Sequence, residues 1–411
     1  MPSVVFYGTG RNAVENLARW KSNGYEPLCF CDADIKKHNT QFMGYDVVSL
    51  CDVLRYYPDY ELYLTAHPNN LEAITVDLLK FGISKDRVRF LDSEYKYGCD
   101  VLGRFVCVDH DGVSPCCNVK HRKAMPFGEP RITHSTVRDA ITNFKARLLD
   151  TLNTAHAGIT NDCSECPRYR FGIFPRNPKI DSINAGSGWK NTVCNFKCSY
   201  CAYNSIDSVL NTDLDCHDIH TILSESVGDT IKKVYISNGE ITVLPHSEKV
   251  LTFVESKNWE AHIATNGLLY SQSIARLLKS GSVINVSLDA GERMSFHQIK
   301  NIDGFDRVIA TLMKYSAVRS NCIILKYIML PGLNDDLKNI DGFLKIAEQL
   351  NVLRVELSNN AWETEKIKNI PEQSFAMAAY FAARCKELNI PAIYLDSFFS
   401  PTDCQRMACL F

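Results

Sequence analysis

Residues 194–201 read CNFKCSYC and place three cysteines at intervals of four and three residues. Soft thiolate ligands at such short spacing are typical of zinc sites and of iron–sulfur clusters. A structural zinc ion needs four ligands, and the nearest further candidates, Cys216 and His217, follow 15 and 16 residues after Cys201. Three thiolates on a four-iron cluster instead leave one iron open to another ligand.

The sequence around this stretch alternates between strand-like and helix-like segments from about residue 182 onward. Such alternation predicts parallel βα units. Their number predicts a partial (β/α)6-type TIM barrel rather than the complete eight-unit barrel. The predicted strands are 182–185, 233–237, 261–265, 283–288, 323–329, 353–357 and 392–395, and the predicted helices are 215–227, 245–256, 271–280, 303–316, 338–350 and 372–388.

The cysteine pattern resembles the signature of the radical S-adenosylmethionine (SAM) superfamily, CxxxCxxC with an aromatic residue, here Tyr200, before the last cysteine. The resemblance implies that Cys194, Cys198 and Cys201 bind a [4Fe–4S] cluster whose open iron holds SAM. It also implies reductive cleavage of SAM to a 5′-deoxyadenosyl radical that abstracts hydrogen from a substrate. The resemblance covers about residues 180–400.

Polar residues at the ends of the next strands extend the resemblance. Residues 237–240 read SNGE and resemble the family's GGE element, which implies that Glu240 contacts the SAM amino group. Asn266 ends the third predicted strand, and Ser287 and Asp289 in the fourth resemble the strand that contacts SAM. Alternating side chains would place these two on one side of a strand. The alternative for each is a polar strand end that faces water. No catalytic side chain is singled out.

A second group of cysteines lies upstream of the barrel. Cys107 and Cys116 flank a predicted hairpin, and Cys163 and Cys166 form a CxxC pair. This arrangement resembles the SPASM and twitch auxiliary-cluster modules, which implies a second [4Fe–4S] cluster bound by these four, with Cys117 as a spare ligand. The alternative is a structural zinc ion, which has no redox chemistry.

The pattern of residues in the N-terminal segment predicts a small Rossmann-like α/β domain over residues 1–95. The strand-like run 3–7 is followed by a glycine turn with Gly8 and Gly10, a helical pattern, a second strand and then Asp32. In a nucleotide-binding domain the glycines allow a tight turn, and the acid contacts a ribose. The alternative is a purely structural or docking domain.

The predicted domain organisation places a Cys-rich segment between the two α/β parts. A short tail with Cys404 and Cys409 completes the chain, and these cysteines either complete a site, cap the barrel or have no ligand role. The four parts are the Rossmann-like domain 1–95, the auxiliary metal or iron–sulfur segment 96–180, the radical SAM partial barrel 181–399 and the tail 400–411.

The composition restricts the partners that we expect. With 45 Lys and Arg against 47 Asp and Glu, the formal charge of −2 does not favour nucleic acid as a partner. No apolar run reaches the roughly 18 residues of a membrane span. The first residues lack the pattern of a secretory signal, and a cytoplasmic location is expected.

The sequence therefore predicts a radical SAM enzyme that acts on a small polar substrate. A sugar or nucleotide-linked sugar, changed by oxidation or epimerisation, is the leading hypothesis, with a low-potential ferredoxin or flavodoxin as electron donor. The first alternative is a SPASM-type enzyme that modifies a peptide. The second is a non-enzymatic binding protein stabilised by zinc.

Overall fold

The structure is a computed structural model, and contacts between its residues divide the chain into two compact units. The first unit contains Met1–Asp100 and Leu149–Asn177, and the second contains Val101–Leu148 and Pro178–Phe411. The described residues are 3–57, 60–65, 74, 78, 81–83, 87–90, 95–109, 111–116, 125–129, 131–156, 166, 169–174, 178–186, 189, 193–201, 211–237, 239–360, 370–395 and 399–411.

The first unit is built on a six-stranded sheet with the order β3-β4-β2-β1-β5-β6. All neighbours in it are parallel except β3 and β4. Both faces of the sheet are apolar, because successive β1 residues such as Val5 and Phe6 belong to separate buried clusters. The elements are β1 Ser3–Tyr7, α1 Arg11–Ser22, β2 Glu26–Cys31, β3 Thr40–Phe42, β4 Tyr45–Val48, α2 Leu50–Tyr56, β5 Leu62–Leu64, β6 Val88–Phe90 and a separate antiparallel pair, β7 Tyr95–Gly98 with β10 Arg170–Ile173.

The second unit contains a nine-stranded sheet with the order β17-β16-β15-β14-β13-β12-β11-β8-β9. Its neighbours are parallel except β8 and β9, and the sheet is an open partial barrel. The strands are β8 Phe105–Asp109, β9 Gly112–Ser114, β11 Ser182–Ala185, β12 Lys233–Ile236, β13 Glu260–Ala264, β14 Val283–Ser287, β15 Ile323–Met329, β16 Arg354–Asn359 and β17 Ala392–Tyr394.

Helices connect these strands, and several begin at a residue whose side chain caps the first turn. Asp215, Ser271 and Asp336 each accept a hydrogen bond from a backbone N–H three residues later. The helices are α3 His134–His156, α4 Cys216–Val227, α5 Ser247–Ser256, α6 Gln272–Lys279, α7 Arg293–Lys300, α8 Phe305–Val318, α9 Leu337–Gln349, α10 Glu372–Glu387 and α11 Pro401–Ala408.

The two faces of the nine-stranded sheet differ in chemistry. On the face that we call the outer face, residues such as Ile284 and Leu325 are buried in one apolar cluster with the helices. The opposite face, called the inner face here, carries the alternate residues. Strand register places these polar residues of the inner face side by side on neighbouring strands: Tyr235, His262, Asn285, Ser287, Lys326 and Glu356.

The strands and helices predicted for the barrel are confirmed, with bounds that differ by one or two residues at most ends. The hairpin in the Cys-rich segment is also present, and its strand β8 extends the barrel sheet by pairing in parallel with β11. The sequence-based division treats residues 96–180 as one segment, whereas the two compact units share them. Helix α7 was not predicted. No helix among the described residues has the length and apolar character to cross a membrane.

Candidate active site

The loop of residues 193–201, called the cysteine loop here, carries the three predicted cluster ligands close to the carboxyl ends of the barrel strands. Phe196 anchors the loop, since its ring is buried and lies 6.1 Å from the ring of Phe296 in α7. The backbone N–H of Cys201 donates to the carbonyl of Cys198 over 3.1 Å and closes a turn. Cys194 is exposed and the other two cysteines are half-buried, so a ligand can reach the loop.

Hydrogen bonds tie the cysteine loop to the ends of two neighbouring strands. The N–H of Glu240, just beyond β12, donates to the carbonyl of Val193 over 2.9 Å. Asn266, just beyond β13, donates from Nδ2 to Oδ1 of Asn195 over 2.6 Å, and the same nitrogen lies 3.9 Å from Sγ of Cys194. The first cysteine is thereby held against the strand ends at which barrel active sites gather.

Glu240, which is 1% exposed, holds the ends of β12 and β13 together through its carboxylate. Oε1 accepts hydrogen bonds from the hydroxyls of Thr242 and Thr265 over 2.6 and 2.7 Å. Oε2 accepts from the backbone N–H of Asn266 over 2.5 Å. The carboxylate therefore fixes the backbone of the residue that contacts the cysteine loop.

A buried network supports the cysteine loop from the other side. The side chains of Asp289 and Lys300 form an ion pair, and both contact the hydroxyl of Tyr200, over 2.6 and 2.7 Å respectively. The second carboxylate oxygen of Asp289 accepts from the N–H of Ile328 over 2.7 Å. Desolvation raises the pKa of Tyr200 well above its usual value, and the nearby carboxylate adds to the effect. The phenol therefore stays protonated and donates to the carboxylate.

This network corrects the argument that put Ser287 and Asp289 on one strand face. Strand β14 ends at Ser287, and Asp289 has a left-handed backbone with φ of 59°. Side-chain alternation does not extend past the strand end, so the two side chains have separate surroundings. Ser287 stays on the inner face beside Lys326, whereas the Asp289 carboxylate is fully buried and bonded to protein donors. We assign Asp289 and Tyr200 to positioning the loop.

The last turn of α7 also holds the cysteine loop. The carbonyl of Ile299 accepts from the N–H of Ser199 over 2.8 Å, and Nδ2 of Asn301 donates to the carbonyl of Lys197 over 2.7 Å. Sequence reasoning missed these contacts, because nothing in the sequence of α7 distinguishes it from a surface helix.

The donor set of the cysteine loop fits a four-iron cluster with one open iron. Burial raises the pKa of Cys194, and it raises the pKa of Cys198 to about 11, so metal binding has to release these protons. The loop supplies three thiolates, one fewer than the four ligands of a structural zinc site. Three thiolates on a four-iron cluster leave one iron open to another ligand, and the exposure of Cys194 lets a ligand reach this side of the loop.

Polar side chains on the inner face of the nine-stranded sheet interact across neighbouring strands. Nδ2 of Asn285 donates to Glu356 over 3.0 Å, and Nε of Arg354 donates to the same carboxylate over 2.9 Å. Burial lowers the pKa of Lys326, which lies between Ser287 and Glu356 in the sheet register. This surface offers both charged and neutral hydrogen-bonding groups to a ligand.

The proposed auxiliary ligands are only partly described. Cys107 is buried on β8, and Cys116 lies two residues beyond β9, both in the second unit. Cys166 belongs to the first unit, and Cys163 and the spare Cys117 lie outside the described residues. The four-thiolate set therefore stays a prediction.

In the first unit the predicted nucleotide-binding acid, Asp32, bonds to the glycine turn itself. The carboxylate of Asp32, at the end of β2, accepts from the backbone N–H of Thr9 over 2.9 Å and from the Thr9 hydroxyl. Nζ of Lys37 also contacts this carboxylate, at 3.0 Å. Asp32 thus ties the turn that contains Gly8 and Gly10 to the next strand, and nucleotide binding by these residues stays a prediction.

A comparison of the sequence with family models gives a match to the Radical SAM superfamily over residues 191–344. The chain contains a radical SAM domain. This family uses a [4Fe–4S] cluster and SAM as cofactors. The matched range includes the cysteine loop and the strand ends that hold it, and the resemblance to the superfamily is confirmed. The Rossmann-like domain and the auxiliary module stay predictions.

Curated relatives of the radical SAM domain have low identity and partial coverage. A UPF0026 protein of Helicobacter pylori is 22% identical over 40% of this chain and 57% of its own length. A GTP 3′,8-cyclase of Pasteurella multocida is 29% identical over 35% of this chain and 44% of its own length. The chain spans about half the length of the curated relatives it matches.

Solved structures are more distant. The crystal structure of Streptococcus suis SuiB bound to S-adenosylmethionine is similar to 74% of this chain and 70% of its own, with 12% identity and a TM-score of 0.40. This level of likeness does not bear on the reaction.

Proposed function

We propose that the protein is a radical SAM enzyme in which Cys194, Cys198 and Cys201 bind the cluster and a small polar molecule is the substrate. The observation that carries this proposal is the attachment of the cysteine loop to the ends of β12 and β13. The bonds from Glu240 to Val193 and from Asn266 to Asn195 hold the loop that carries the thiols against the carboxyl ends of these strands. Reductive cleavage of SAM to a 5′-deoxyadenosyl radical, which abstracts hydrogen from substrate, is the chemistry that the bound cluster supplies.

In this proposal the chain's own residues bind the cluster and hold the groups around it in position. The three cysteines release protons and hold the irons, while Tyr200 and its buried partners keep their loop in place. Glu240 holds the backbone of Asn266, and both lie where SAM would bind, together with Ser287. Precise placement matters because a reacting atom displaced by about 1 Å can slow a reaction roughly 100-fold.

The inner face supports a small polar substrate. Lys326, Arg354, Asn285 and Glu356 give this face charged and neutral hydrogen-bonding groups on adjacent strands. Several relatives are named GTP 3′,8-cyclases, so a nucleotide joins the nucleotide-linked sugar as a substrate candidate. A low-potential ferredoxin or flavodoxin is the proposed electron donor, and a cytoplasmic location is part of the same proposal.

An auxiliary cluster in the Cys-rich segment is the second part of the proposal. If Cys107, Cys116, Cys163 and Cys166 bind redox-active iron, the enzyme has an acceptor for an electron from a substrate radical and can complete an oxidation. If they bind zinc, this segment supplies no electron acceptor, which favours redox-neutral chemistry.

The first test is a metal count on protein purified and reconstituted without oxygen. Iron, sulfide and zinc are measured in the parent and in a triple variant, Cys194→Ala, Cys198→Ala, Cys201→Ala, with exposed Cys51→Ala as control. We expect about four fewer irons in the triple variant and loss of 5′-deoxyadenosine formation from SAM under dithionite. Four remaining irons establish the auxiliary cluster, and a remaining zinc that X-ray absorption shows to be bound by sulfur establishes a structural site in the Cys-rich segment. Zinc without iron in the parent contradicts the radical SAM activity.

The role of Glu240 has a separate test. In Glu240→Gln an amide NH₂ replaces one of two acceptor oxygens. Each oxygen faces a backbone N–H, that of Thr242 or that of Asn266, so one of these hydrogen bonds is lost in either orientation of the amide. We expect 5′-deoxyadenosine formation to fall about 100-fold while four irons remain bound. Glu255→Gln is the control, because that carboxylate is exposed and pairs with Arg276 on the surface. Unchanged SAM cleavage in Glu240→Gln would remove this residue from the SAM site.

A further inference from the structure

A second cluster of metal-ligating side chains lies outside the candidate active site, at the beginnings of α4 and α5. Ligand atoms of Asp215, His217 and Asp218 lie within 4.8 Å of one another. His246, the residue before α5, approaches the same place, and its Nδ1 lies 3.7 Å from Oδ2 of Asp215. Two carboxylates and one imidazole at the start of α4 therefore lie together, and a second imidazole at the start of α5 approaches one of the carboxylates.

The helix cap engages only half of each carboxylate. Oδ1 of Asp215 accepts from the N–H of Asp218 over 3.0 Å, and Oδ2 of Asp218 accepts from the N–H of Asp215 over 2.9 Å. The capping box thus leaves Oδ2 of Asp215 and Oδ1 of Asp218 for another partner. It also holds both side chains rigidly, as a metal site requires.

The ring nitrogens of His246 point to a ligand independently of the helix cap. Its side chain is 4% exposed, and neither ring nitrogen has a hydrogen-bond partner in the described structure. A buried imidazole without partners is costly, because both nitrogens have lost their bonds to water. The separation of 3.7 Å from Asp215 is too long for a hydrogen bond. A metal ion between the two groups would satisfy both.

We propose that Asp215, His217, Asp218 and His246 bind one divalent transition-metal ion of the zinc type. Imidazole nitrogen and carboxylate oxygen are both established zinc ligands, and the two carboxylates offset the charge of the ion. Four protein ligands leave no open position, which is typical of a structural rather than a catalytic site.

The ion would act on the candidate active site by fixing two of its connections. Asp215 lies between the cysteine loop and α4, and His246 follows the short 3-10 helix Ile241–Val243 that begins beside Glu240. Joining the starts of α4 and α5 would therefore stabilise the beginnings of the two helices that follow Cys201 and Glu240 in the chain. The site does not depend on the proposed enzymatic activity.

The test measures zinc binding to the full chain after its iron–sulfur content has been reconstituted. Zinc is added to the parent, His246→Phe and His217→Gln, with exposed His134→Gln as the matched control. Aspartate variants are avoided, because they also break the helix cap. X-ray absorption at the zinc edge identifies the ligands, and thermal unfolding with and without zinc gives an independent readout.

We expect the parent to bind one more zinc than either site variant, with nitrogen and oxygen ligands and a zinc-dependent rise in its unfolding temperature. Each substitution weakens this binding at least about tenfold, while His134→Gln behaves like the parent. Equal zinc binding in parent and variants, or zinc bound only by sulfur, would overturn the proposal. If His246→Phe does not fold, His217→Gln decides, because His217 is only half-buried.

Discussion

Lys300 is a buried cation that contacts both Asp289 and Tyr200. Removing one partner of a buried pair leaves an uncompensated charge, which costs far more than the pair itself contributes. We expect Lys300→Met to lower the free energy of unfolding by about 3–5 kcal/mol, as measured by urea denaturation.

An exposed lysine provides the control for this experiment. Lys338 pairs with Glu292 at the surface, and we expect Lys338→Met to change the free energy of unfolding by less than about 1 kcal/mol. The double variant Asp289→Asn, Lys300→Met removes both charges and should recover part of the loss. Equal effects of the two lysine substitutions would contradict a central role for the network.

His262 makes the stability of the barrel depend on pH. Burial lowers its pKa, and the neighbouring Glu260 only partly opposes this. The unfolded chain then binds a proton more readily than the folded chain, so the stabilisation is complete above about pH 6.5 and is lost as the pH falls.

The measurement compares urea denaturation at pH 7.5 and pH 5.5 in the parent and in His262→Gln. The free energy of unfolding of the parent should fall more between the two values than that of the variant. Exposed His134→Gln serves as the control for replacing a histidine at the surface. A parent and a His262→Gln variant with the same pH dependence would show that His262 has no lowered pKa.

Among the elements, α9 packs unusually closely on the segment beyond β14. A methyl group added to Gly291 would overlap the backbone oxygen of Asn339 and the nitrogen of Phe343, and would lie 2.7 Å from the carbonyl carbon of Gly342. This close approach seats the segment that carries Asp289 against the helix. Backbone atoms cannot move aside as a flexible side chain can, so the position requires glycine.

We expect Gly291→Ala to lower the free energy of unfolding by about 1–3 kcal/mol in chemical denaturation. Gly10→Ala is the control, because a methyl group there meets nothing within 4 Å and its φ of −80° suits alanine. If Gly291→Ala leaves the free energy of unfolding unchanged, α9 moves to make room for the methyl group and the close packing is not required. The packing of the protein does not require glycine at position 10. A loss of nucleotide binding in Gly10→Ala would therefore mean that the bound nucleotide needs the space that the methyl group takes.

At the scale of the whole molecule, each compact unit has its own buried core. Phe6 lies in the first, with its ring 5.4 Å from Phe30 and 5.7 Å from Trp20, and Phe343 lies in the second. Separate cores predict separate cooperative units. We expect Phe6→Ala to lower the opening free energy of peptides from residues 3–57 by about 3–5 kcal/mol in hydrogen exchange followed by mass spectrometry.

Peptides from residues 239–360 should keep the parent's protection in Phe6→Ala. The reciprocal variant Phe343→Ala should show the opposite pattern and serves as the control. Equal loss of protection in both units would mean that they unfold together.

The sequence by itself determined the barrel strands and the superfamily, because both depend on local patterns. Runs such as 323–329 have a strand-like composition, and the spacing of Cys194, Cys198 and Cys201 is a property of consecutive residues. The strand-end position of Glu240 follows from the same local pattern.

Only the tertiary structure decided which side chains meet across long separations in the sequence. Lys300 reaches Tyr200 across 100 positions in the sequence, and β8 joins the barrel sheet beside β11 although 72 residues lie between the two strands. The sequence suggested a cofactor role for Asp289, whereas packing turned its carboxylate toward a buried lysine. Such contacts depend on how the helices and strands pack on one another. Hydrophobic burial drives that packing, but it is non-directional, so no local sequence pattern names the residues that will meet.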